Sequence, residues 1–135
     1  MLSDHDKIMD RFERDLKRVA QRSCALSALG VVTRSRKLSG QYRMSTRLGV
    51  GRLDMSVTLA GTYRPNFFTN EIETQERNFA ASSQRINLGD RVFISNSLPY
   101  GPDLEFQKGD LMFTRSANNW GNDVSQAVRE VRNAF

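Results

Sequence analysis

At 135 residues the chain is long enough for one domain with a hydrophobic core and too short for two independently stable ones, so residues 1–135 read as a single unit. No apolar run approaches the ~20 residues of a membrane helix, and Ser3, Asp4, His5 and Asp6 stand where a basic then apolar export signal would begin, so a soluble, unexported protein is expected. Twenty Lys and Arg against fifteen Asp and Glu make the chain basic, and Cys24, the one cysteine, excludes an intrachain disulfide and a cysteine-built zinc site.

Ile8, Phe12, Leu16, Val19, Ser23 and Leu26 recur at spacings of three and four, with Met9 and Ala20 alongside, which predicts a long amphipathic first helix. Ser3 and Asp6 form a capping pair at its start, and Asp10 with Arg14 and Glu13 with Lys17 are spaced as ion pairs on its outer face. Gly30 followed by the β-branched Val31, Val32 and Thr33 predicts its end, with a polar linker over 34–40. From Tyr42 the period becomes two: Tyr42, Met44, Leu48 and Val50 lie on one side, Gln41, Arg43, Ser45 and Arg47 on the other. Gly49 and Gly51 predict a turn or bulge. Leu53, Met55, Val57 and Leu59 then alternate with Asp54, Ser56 and Thr58, which predicts a second strand closing an antiparallel hairpin.

Residues 61–69 read as a loop holding Pro65 and the adjacent Phe67 and Phe68, a pair suited to an interface. Asn70 is placed to cap a helix with Glu71, Glu73 and Glu76 near its start, and its thin stripe of Ile72, Phe79 and Ile86 predicts light packing or ordering on assembly. A turn over 87–90, a strand over 91–96 and a corner over 97–100 at Pro99 follow. Leu111 to Phe113 is a candidate short strand, and Trp120, Val124, Ala127, Val128, Val131 and Phe135 mark a final amphipathic helix. The expected fold is α+β: a small antiparallel sheet packed by a long N-terminal helix, a middle helix and a C-terminal amphipathic helix.

The chemistry of an enzyme is hard to assemble from these residues. His5 lies near a terminus, Cys24 falls inside the first helix, and Ser3, His5 and Asp6 lack any mark of an oxyanion hole. The G-x-G at 49–51 has no third glycine and no P-loop lysine, and Asp103 and Glu105 read as surface or salt-bridge groups. No catalytic residue, cofactor, metal or small-molecule substrate is expected. Charge is more informative, because residues 31–70 carry Arg34, Arg36, Lys37, Arg43, Arg47, Arg52 and Arg64 against Asp54 alone, a net +6, while the rest of the chain is at −1. That block is either a solvated or subunit-facing surface, or a contact for nucleic acid.

Residues 92–101, Val-Phe-Ile-Ser-Asn-Ser-Leu-Pro-Tyr-Gly, followed by Leu104 and Glu105, resemble a signature of the tail-completion and neck proteins of tailed bacteriophages: a strand ending in asparagine, a proline-tyrosine corner, a leucine-glutamate pair and a glycine. Gly109 stands late for that last glycine, and Gly101 stands where alanine is commoner. Residues 39–45, Ser-Gly-Gln-Tyr-Arg-Met-Ser, resemble the family's threonine-glycine, basic residue, serine start of the sheet, with serine for threonine.

The resemblance implies a flat α+β structural protein of the virion, assembled in the host cytoplasm as a ring in the neck and leaving a channel for genomic DNA. A hexamer is expected ahead of a dodecamer. Portal, adaptor or head-closure proteins would lie on one side, and a tail terminator or tail tube on the other. Related proteins occur in gene transfer agents. Phe67, Phe68, Asn96, Pro99, Tyr100, Leu104 and Phe106 are then candidates for subunit contacts, and the seven basic residues for the DNA channel or an acidic partner. The corner serves either an interface or the subunit's own core. A basic nucleic-acid-binding module, a tail terminator, or a minor structural protein elsewhere in the particle are the alternatives.

Overall fold

The computed structural model describes residues 3–36, 40–59 and 68–134. Helix α1 (Asp4–Arg34) organises the rest; its 31 residues span about 46 Å at ~1.5 Å per residue. Ser3 caps it, accepting the Asp6 N–H at 3.1 Å, and Asp10 meets Arg14 at 3.5 Å. Gly30 does not end it. The helix continues through Val31, Val32 and Thr33 to Arg34 because both valines are fully buried, and packing outweighs their weak helix propensity. A Cβ on Gly30 would lie 2.9 Å from Ser116 Oγ, so this glycine admits a neighbouring helix instead of stopping its own.

That neighbour is a helix where a strand was expected. Of the run 111–113, Met112 and Phe113 open α4 (Met112–Asn118), the Met112 side chain is fully buried, and Ser116 donates to the Ser27 carbonyl at 2.7 Å. Three apolar residues in a row do not reveal which period they belong to. α5 (Trp120–Asn133) carries most of the predicted stripe: Ala127 is fully buried and Val124, Val128 and Val131 are half-buried, but Trp120 is exposed and Phe135 lies outside the described residues.

Arg22 of α1 clasps Glu130 of α5 through two bonds of 2.5 and 3.3 Å, and these hold the Glu130 carboxyl below the usual range. A carboxyl lowered in the folded state stabilises the fold above its unfolded pKa, and that contribution fades as pH falls through the lowered value. Glu130→Gln should therefore cost about 0.5–1 kcal/mol at pH 7. The difference from the parent should vanish near pH 3 in thermal melts; a gap that persisted there would point to lost packing instead of lost charge.

The sheet pairs β1 (Thr46–Val50) with β2 (Val92–Asn96), antiparallel, with Thr46 opposite Asn96 and Val50 opposite Val92. The expected hairpin of 42–50 with 53–59 is not formed. Gln41–Met44 is a single helical turn, α2, that buries Tyr42, and residues 53–59 form no strand. They cross the sheet's outer face, where Ser95 donates to the Asp54 carbonyl at 3.0 Å and Arg47 reaches Ser56 and Thr58, both at 3.0 Å. Alternation marks a strand-like face without naming its partner. β2 wins that place because Val92 and Ile94 join the core already lined by Leu48 and Val50.

α3 (Glu71–Ser83) was expected to pack lightly under an Asn70 cap. Asn70 instead adopts a left-handed conformation (φ 57°) and makes no side-chain capping bond. The helix buries Glu71, Gln75, Phe79 and Ser83, a four-residue repeat that is mostly polar and so escapes a search for apolar periodicity. Gln75, 1 % exposed, donates to the carbonyls of Arg43 and Thr46 at 2.7 and 3.0 Å. Ala25, Ala28, Val32, Leu48, Phe79 and Ile86 form the main core, and Val31, Tyr42, Leu98 and Met112 a second one. The result is the predicted α+β fold. Among the described residues no helix is long and apolar enough to cross a membrane.

Candidate functional site

The corner after β2 is braced from within. The Asn96 amide donates to the Tyr42 carbonyl at 2.7 Å and to Thr46 Oγ1 at 3.2 Å, while its oxygen accepts the Leu98 N–H at 3.1 Å. One side chain thus ties the end of β2 to the start of β1 and sets the turn. Leu98 points inward and Pro99 outward, and the Gly101 N–H closes the turn on the Leu98 carbonyl at 3.0 Å. The rings of Tyr100 and Tyr42 lie 6.0 Å apart at 41°, and burial pushes the Tyr42 hydroxyl well above its ordinary pKa.

Glu105 overturns its sequence reading as a surface group. It sits in a π-helical turn, Asp103–Gln107, and is 5 % exposed. Its carboxylate accepts the Phe113 N–H at 3.1 Å, the Thr114 N–H at 3.0 Å and the Thr114 hydroxyl at 2.8 Å, which caps α4 from across the turn. Leu111, just before α4, is left-handed (φ 48°), a conformation that costs a branched residue roughly 1–2 kcal/mol. The cap offsets that strain. This role was hidden because the expected strand over 111–113 has no helix terminus to cap. The corner therefore divides: Asn96, Leu98 and Glu105 face the fold, Leu104 is half-buried against the second core, and Pro99, Tyr100 and Phe106 face outward.

Among the described residues, most of the basic block is answered inside the subunit. Arg36 grips Asp110 at 2.7 and 2.6 Å and holds that carboxyl below the usual range. Arg43 reaches Glu71 at 2.9 Å and the Ser35 carbonyl at 3.1 and 2.7 Å. Arg47 donates to the Met44 carbonyl at 2.6 Å besides Ser56 and Thr58. The charge of Arg34 acts on Asp123, whose carboxyl is raised first by burial. Arg52 is exposed after β1, while Lys37, Arg64 and Phe67 lie outside the described residues. Phe68 is half-buried, close enough to Gly40 that a Cβ there would stand 2.8 Å away.

No family model, curated protein or solved structure matches the chain. Function must therefore be argued from the site itself. Cys24 is half-buried and burial raises its thiol, so it packs as a small apolar group. Among the described residues no three His, Cys, Asp or Glu side chains converge as a metal site requires. The conspicuous surface is apolar. The first half of α1 carries Ile8, Met9, Phe12 and Leu16 at 67, 43, 58 and 44 % exposure, and residues 53–59 carry Leu53, Met55 and Leu59 at 48, 68 and 82 %.

Proposed function

We propose that this chain is a non-enzymatic structural subunit of a phage-like particle, one that forms a ring in the neck between head connector and tail and leaves a passage for DNA. The observation that carries the reading is the apolar stripe of α1, which outruns its own core: burial begins at Gln21, yet the stripe starts at Ile8. An amphipathic helix with half its stripe in water suits a subunit that finishes packing against another protein. The motif at residues 92–105 supplies the kind of assembly, and its outward residues Pro99, Tyr100 and Phe106 supply a second, separate surface, as a head-to-tail ring needs. A hexamer is proposed ahead of a dodecamer. Portal, adaptor or head-closure proteins on one side and a tail terminator or tail tube on the other are the proposed partners.

Native mass spectrometry of the purified chain, alone and with neck proteins, tests this. Closed oligomers are expected, and monomers under every condition would overturn it. Phe12→Ser should leave the unfolding free energy within about 0.5 kcal/mol of the parent, because the ring is already exposed, and should shift the oligomer toward monomer.

A further inference from the structure

β1 has a bare outer edge, and the same chain holds a segment able to fill it. The Gly51 N–H bonds the Arg91 carbonyl at 2.7 Å, and Arg47 faces Ser95 and Gly49 faces Phe93. In an antiparallel ladder this register turns the N–H and C=O groups of odd-numbered β1 residues toward β2 and those of Thr46, Leu48 and Val50 away from it. Gln75 occupies the Thr46 carbonyl. Among the described residues nothing pairs the backbone groups of Leu48 and Val50. They line a groove between the end of α3, at Ser82, with Arg85 just beyond it, and the crossing segment, at Leu53 and Met55.

Residues 53–59 are the converse case. Even positions tether the segment to its own sheet: the Asp54 carbonyl accepts from Ser95, the Ser56 hydroxyl from Arg47, and the Thr58 N–H meets Ser45 Oγ at 3.0 Å. Odd positions are bare, because the backbone groups of Leu53, Met55, Val57 and Leu59 have no hydrogen bond among the described residues and three of these side chains are exposed. A strand edge without a strand and an alternating segment without a ladder thus coexist in one chain.

We infer that the groove along β1 receives residues 53–59 of a second copy of this chain, which adds to the sheet as a strand beside Leu48 and Val50. Main-chain bonds supply the affinity, and alternate side chains the register. The contact joins two different surfaces, so it propagates head to tail, the kind of contact from which a closed ring is built. The inference rests on the proposed self-assembly and specifies one contact within it.

Two variants test it. Val50→Pro removes an outward N–H while sparing the β2 ladder, as proline does on an edge strand. Met55→Pro removes one from the exposed segment. Each should keep the parent's circular dichroism and weaken assembly about tenfold or more in native mass spectrometry. Mixed, they should form a 1:1 pair, because one supplies an intact segment and the other an intact edge. Hydrogen exchange over residues 46–59 should be slow in the assembly and fast in dilute monomer. If Val50→Pro does not fold, Met55→Pro and the exchange pattern decide the matter. Assembly of both variants at parental strength would overturn the strand contact and leave the ring standing, and slow exchange in the dilute monomer would overturn it in favour of closure within one chain. A parent chain that stays monomeric alone and with neck proteins would remove the ring as well.

Discussion

Arg43→Met should lower the unfolding free energy by about 3 kcal/mol, the order expected when one partner of a buried ion pair is removed. The Arg43 and Glu71 side chains are 15 and 4 % exposed and meet at 2.9 Å. The same guanidinium donates twice to the Ser35 carbonyl, at the end of α1. One side chain therefore joins the C-terminus of α1, the turn α2 and the start of α3, and methionine replaces its stem but none of its donors. Converting Glu71 to methionine as well should recover part of the loss, since an apolar pair of similar volume no longer leaves a carboxylate short of a donor. Urea unfolding of the parent, the two single variants and the double variant measures the coupling. A cost below about 1 kcal/mol for Arg43→Met would mean the pair is solvated and dispensable. The same variant probes the basic block: if Arg43 is structural, its loss changes stability and leaves any DNA affinity alone.

Glu105→Ala should cost about 2–3 kcal/mol, from a lost helix cap and from hydrogen bonds to a charged acceptor. The variant leaves the Phe113 and Thr114 N–H groups without their acceptor, on a helix whose first residue, Met112, is fully buried. It also removes the group that compensates the left-handed Leu111. Glu105→Gln keeps one accepting oxygen and should lose about half as much. Thermal unfolding gives the size of the effect. Exchange at the amides of Phe113 and Thr114 gives its place: they should open faster in the alanine variant, while amides in the middle of α1 follow only the global change. Unchanged exchange at those two amides would remove the capping role.

These two residues show where sequence reading reaches its limit. The leucine-glutamate pair stands out as a motif, yet what Glu105 does depends on α4, and α4 could not be recognised from a three-residue apolar run. Arg43 stands out as one charge in a basic block, but its partner lies 28 residues away on a helix whose buried face is polar. Asn96 was more legible. An asparagine before a proline corner has short-range work to do, and its bond to the Leu98 N–H spans only two residues. The outward surfaces were legible in part: Phe106 and Tyr100 are exposed at the corner, and the stripe of α1 was visible without any sign that half of it is uncovered.

By itself the sequence determined what depends on neighbours a few residues apart: the long first helix, its Ser3 cap, the turn before β2, the corner and the amphipathic last helix. Periodicity and local hydrogen bonding suffice for these. Only the tertiary structure decided the rest. It carried α1 past Gly30 because Val31 and Val32 are buried, paired β1 with β2 instead of residues 53–59, and turned the run at Met112 into a helix. Each depends on which distant surface completes the core, and burial of Val31, Val32 and Met112 outweighs the local preferences that pointed elsewhere.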